Sequence, residues 1–121
     1  MTTTVTAPLP AYERDRRRVR AMILDQHRSP DGEVDRAGLV EHALRTRQEV
    51  ERLEAIVRGG TEDSPHPQEL RDKLTQAQWW DHHLQAALRQ EIPQWTGAVA
   101  NARTSYSKTM RKAARSLGLA R

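Results

Sequence analysis

The chain has no cysteine and no phenylalanine, only two tyrosines, and just three lysines (Lys73, Lys108 and Lys112) among its 20 basic residues. Without cysteine, disulfides and thiolate metal sites are excluded. Without Phe, and with few β-branched runs, strand signals are nearly missing, which leaves helix as the working secondary structure. No stretch approaches the roughly 20 apolar residues that cross a bilayer. The Thr-rich start over residues 1–10 lacks the charged and apolar regions of a secretory signal, so a cytoplasmic protein is expected. The six glycines form no phosphate-cradling loop, and no Gly-x-Ser-x-Gly elbow occurs. Neither a cofactor nor a small-molecule substrate is expected, and catalysis is not expected. Arginine so far outnumbers lysine that a bacterial genome rich in GC is the natural source.

What is present fits one modest core. The chain has 121 residues, 36% hydrophobic and 30% charged, a balance suited to helices with one buried stripe. The longest periodic stretch runs from Gln68 to Trp95. Leu70, Leu74, Ala77, Leu84, Leu88 and Trp95 recur at helical spacing, widened by Trp80, Ala87 and Ile92, while Arg71, Asp72, Gln76 and Gln90 lie opposite.

Taken in order, residues 1–10 read as a flexible tail and 11–121 as a single helical domain. A first helix is expected over about 11–27, with a stripe of Tyr12, Val19, Met22 and Ile23 beside Leu24. Ser29-Pro-Asp-Gly is a turn signal, because proline presets φ and glycine accepts positive φ. A second helix over about 35–58 has Asp35 as N-cap and Gly59-Gly60 as its stop. Its stripe is Ala37, Val40, Ala43, Leu44, Val50, Leu53, Ile56 and Val57. Arg47 interrupts that stripe, either snorkelling to its edge or pairing with an acid on the facing helix. The short polar loop 61–67 sends a third helix, about 67–92, back antiparallel to the second. Pro93 breaks it, and a fourth helix is expected over about 94–117, with Trp95, Val99, Ala102, Tyr106, Met110, Ala113 and Leu117 inward and Gly118 as its stop. The expected fold is all-α: an antiparallel bundle of about four helices, coiled-coil-like in packing and dominated by a long helical hairpin.

Charge is unevenly spread. Residues 1–20 carry five basic and two acidic groups, 21–60 six and eight, 61–100 three and six, and 101–121 six and none. The basic ends single out Arg14, Arg16, Arg17, Arg18 and Arg20 in the first helix. In the last, Arg103, Lys108, Arg111, Lys112 and Arg115 combine with Tyr106, Met110 and Leu117 in an amphipathic pattern, followed by Arg121. Arginine forks suit phosphate oxygens; a solvated face, or docking on an acidic neighbour, uses the same letters.

Trp79 and Trp80 are adjacent and so point about 100° apart on a helix. Trp80 is assigned to the core and Trp79 to its margin or to an intermolecular contact, and Trp95 joins them as a candidate interface residue. Neighbouring His82 and His83 diverge rather than converge, so a metal site would need His42 to meet His83 across the hairpin; no metal is expected.

Two functions follow. The first is a non-catalytic interaction protein, an adaptor or small structural subunit that associates with itself, as a homodimer, or with a protein partner. The alternative is a nucleic-acid-associated accessory protein whose basic ends hold the DNA or RNA backbone. No membrane contact is expected, because the apolar side of the last helix is mostly alanine.

Overall fold

A computed structural model describes residues 11–60, 66–100 and 106–119. The expected tail, most of the 61–67 loop, Ala102, Arg103, Arg121 and the side chain of Tyr12 lie outside the described residues. The fold is an all-α bundle, with no β-strand among the described residues. Its helices are α1 (Ala11–Gln26), α2 (Arg36–Arg58), α3 (Pro67–Glu91), α4 (Trp95–Ala100) and α5 (Tyr106–Ser116).

Local chemistry sets the boundaries. Gly32 takes φ +91° and its N–H donates to Ser29 O at 2.9 Å, closing the turn between α1 and α2. Asp35 caps α2 by accepting from the Gly38 N–H. Pro67 stands at the first turn of α3, where its missing N–H costs nothing. Ahead of Pro93, Ile92 is extended at φ −122°, ψ 92°, and α3 ends at Glu91. Gly118 closes α5 at φ +71°.

α2 and α3 form the hairpin. Arg36 meets Glu91 near one end and Arg47 meets Asp81 further along, so the two run antiparallel. α1 packs on α3, and α5 packs on α2 and α4. The core gathers Ile23 and Leu24 of α1, Leu39, Val40 and Ala43 of α2, Leu84, Ala87 and Leu88 of α3, then Ile92, Trp95, Met110, Ala113 and Ala114.

Several stripe assignments shift. Met22 (43% exposed) and Ile56 (37%) stay in solvent, whereas Leu24 and Leu39 are buried. The second half of α3 is enclosed on more than one side: from Asp81 to Leu88 only His82 is exposed. The stretch expected as one helix over 94–117 holds two. In a continuous helix, residues six apart are about 9 Å apart along the axis. α4 and α5 nevertheless pack on each other, so they are not parts of one continuous helix. Sharing the seam between two short helices puts Trp95 and Met110 in the same core.

Candidate functional site

The hairpin carries a polar centre. Arg47 Nη1 donates to Asp81 Oδ2 at 3.0 Å, and the same guanidinium lies over the Tyr106 ring, 4.1 Å from its centroid. Of the two readings of Arg47, the structure shows the pair with a facing acid. One turn along α2, Glu51 accepts from the Ser107 N–H at 2.9 Å and from Ser107 Oγ at 2.7 Å, capping α5 from another element. Trp95 Nε1 donates to Gln85 Oε1 at 3.2 Å. Burial raises the Asp81 carboxyl above its ordinary range, opposed chiefly by Arg47. Burial likewise raises the Tyr106 hydroxyl, with Asp81 adding to it. Arg47 Nε and Asp81 Oδ1 are buried without a hydrogen-bond partner. This cluster joins α2, α3, α4 and α5, and its members are largely used up by one another.

Pairing of charge differs sharply between the middle and the end of the chain. Arg28, Arg36, Arg45, Arg47, Arg52, Arg58 and Lys73 each lie within ion-pair distance of a carboxylate. Lys108, Arg111, Lys112 and Arg115 of α5 are all exposed and have no ion-pair partner among the described residues. Their spacing, i, i+3, i+4 and i+7, puts them on one face. The opposite face buries Thr109, Met110, Ala113 and Ala114. α5 is thus a short helix with one side sunk in the core and four cations on the other.

The α1 arginines divide. Arg14, Arg17 and Arg18 share an exposed face, on which Arg18 pairs with Asp15 at 3.4 Å. Arg16 and Arg20 are half-buried on the side of Ile23 and Leu24, which faces α3. There they act electrostatically on His83, whose pKa is lowered first by burial, then by His82, Arg16 and Arg20. The two basic sets ride on different helices of the hairpin, α1 on α3 and α5 on α2.

The tryptophans separate completely. Trp79 is 45% exposed and Trp95 1%, while Trp80 is partly buried against the core. Trp95 lies in the core, so its ring is not at the surface of this bundle. An open groove of about 620 Å³ between α2 and α3 is lined by Leu53, Ala77 and Trp80 with Arg45, Gln76 and Lys73.

His42 does not meet His83. Its Nδ1 lies 2.9 Å from Nε2 of His27, so one ring donates to the other at the junction of α1 and α2. Burial lowers the His42 pKa, with His27 and Arg45 adding to it. Among the described residues no group of three or more His, Asp or Glu is placed to hold a metal ion. No described helix is long and apolar enough to cross a membrane.

Sequence reasoning missed the Glu51–Ser107 cap and the His27–His42 pair, because both join residues distant in the chain. Comparison with family models, with curated proteins and with solved structures finds no match.

Proposed function

We propose that this is a non-catalytic helical protein that holds a nucleic-acid phosphate backbone, with the outer face of α5 as its principal contact. One observation carries the reading: Lys108, Arg111, Lys112 and Arg115 share an exposed face and have no ion-pair partner among the described residues, although most cations of the hairpin are paired. A stripe of that spacing follows a phosphate backbone without reading bases, and releasing condensed counterions favours its binding. Arg14, Arg17 and Arg18 of α1 supply a second, weaker set. The protein works in the cytoplasm, needs no cofactor or small-molecule substrate, and does not engage membranes.

A second reading, self-association as a homodimer or docking of a partner helix, draws on the groove at Leu53, Ala77 and Trp80 and on Ile56, which is 37% exposed nearby on α2.

The deciding experiment titrates labelled generic duplex DNA and RNA across a salt series. It compares the full chain with a variant carrying Lys108→Gln, Arg111→Gln, Lys112→Gln and Arg115→Gln. Affinity is expected to fall by roughly 0.7–0.9 log units per log unit of salt for each phosphate contact. The variant loses most of that slope. Absence of binding at low salt overturns the proposal and turns the search to protein partners.

A further inference from the structure

On α3 one large aromatic ring stays open to solvent. Trp79 keeps 45% of its surface exposed, yet its indole is fixed in place. Its centroid lies 4.9 Å from that of Trp80 at an interplanar angle of 85°, and 4.3 Å from the His83 ring at 64°. Both contacts are edge-to-face, the geometry that aromatic quadrupoles favour. His83 is only 4% exposed, so Trp79 rests on a buried support. The residues one turn away on α3 are Thr75, Gln76, His82 and His83, none of them acidic. On α1, Arg16 and Arg20 lie half-buried on the side that packs on α3.

The core does not need this ring. Trp80, next along the chain, packs against the core, and leaving an indole in water forgoes the gain of burying it. A rotamer fixed before any ligand arrives spares the entropy that a free side chain loses on binding. An open ring face on α3, with Arg16 and Arg20 on the side of α1 that packs on that helix, suits a ligand with a flat face and a negative backbone.

We propose that Trp79 is a stacking platform for an unpaired base of single-stranded nucleic acid, with Arg16 and Arg20 holding the adjoining phosphate. The inference rests on the phosphate-binding reading of α5 and adds a base contact to it. A duplex keeps its base faces inside its own stack, so only unpaired strands can use the platform. Stacking accepts any base, so the preference is for strandedness rather than for sequence.

The test measures oligo-dT, oligo-U and a mixed-sequence duplex at one salt concentration, by polarisation of the labelled strand and by quenching of tryptophan fluorescence. Proteins compared are the full chain, Trp79→Ala, Trp79→Phe and the pair Arg16→Gln with Arg20→Gln. Trp79→Ala is expected to weaken single-strand binding roughly 5- to 100-fold, to abolish most of the quenching and to leave duplex binding within about twofold. Trp79→Phe restores most of the single-strand affinity, and the arginine pair weakens it. The oligo-dT and oligo-U arms show whether the strand is DNA or RNA. Unchanged single-strand binding by Trp79→Ala, alongside intact duplex binding, overturns the platform while leaving the α5 reading standing. Failure of the full chain to bind any nucleic acid overturns both. Concentration-dependent sedimentation of the full chain that Trp79→Ala abolishes, with strand binding unaltered, assigns the ring to a contact between copies and overturns the platform.

Discussion

Arg47 and Asp81 face each other across the hairpin at 3.0 Å, with the Arg47 guanidinium also stacked over Tyr106. One residue that breaks the apolar stripe of α2 thus finds charge on α3 and a π face on α5. The arrangement favours one register, because sliding α2 past α3 by one turn would leave Asp81 buried without its cation and Arg47 with only Glu51 of its own helix, 3.9 Å away.

Removing one partner is therefore expected to cost more than removing both. Arg47→Met alone should destabilise the fold by roughly 3 kcal/mol, since it strands the largely buried Asp81, and Asp81→Leu by less, since Glu51 still lies 3.9 Å from Arg47. The double variant Arg47→Met with Asp81→Leu should recover most of that loss. Urea denaturation followed by circular dichroism measures both; additive losses would show that the two charges do not depend on each other.

The Glu51 cap makes a more local prediction. Its carboxylate accepts both the N–H and the hydroxyl of Ser107 at the start of α5. Glu51→Ala is expected to cost about 1–2 kcal/mol, as for other N-cap deletions. The loss should concentrate in α5. Amide exchange in α5 rises first while α2 and α3 keep their protection; uniform loosening of all helices would contradict this.

Stability should fall on mild acidification. His42 and His83 are held below their ordinary value of 6.5. The unfolded chain therefore binds their protons more readily than the folded one. Their contribution is present above 6.5 and is lost as pH falls through the depressed values. Asp81 acts in the opposite sense: its raised pKa favours the fold most below 3.8 and less as pH rises through the raised value. Between pH 7 and 5 the histidines set the trend, and His42→Gln should flatten it. A denaturation series across that range decides, and an unchanged slope in His42→Gln would remove His42 from the account.

Lys112 sits within the exposed face of α5 and has no ion-pair partner among the described residues. Lys112→Gln should lower the salt slope of backbone binding by about 0.7–0.9 and leave thermal stability within about 0.5 kcal/mol, as surface changes do. Weakened binding with an unaltered slope would mean that Lys112 does not touch phosphate.

Much of the architecture was legible in the chain itself. Asp35, Pro67, Pro93 and Gly118 each act through backbone chemistry that a single residue and its neighbours decide, so the helix ends fell close to expectation. The seam of Leu84, Ala87 and Leu88 was equally readable, because a period of 3.6 identifies a buried face without reference to what covers it. The cationic spacing of α5 could be read too, since i, i+3, i+4 and i+7 share a face wherever the helix lies. Tertiary structure alone decided the rest. That Arg47 pairs with Asp81 rather than reaching for water depends on where α3 crosses α2. That Trp95 and Met110 meet in one core depends on α5 packing on α4 and α2. Helical periodicity reports which side of a helix must be covered; which neighbour covers it, and which polar group meets its partner there, is decided only by contacts between residues far apart in the chain.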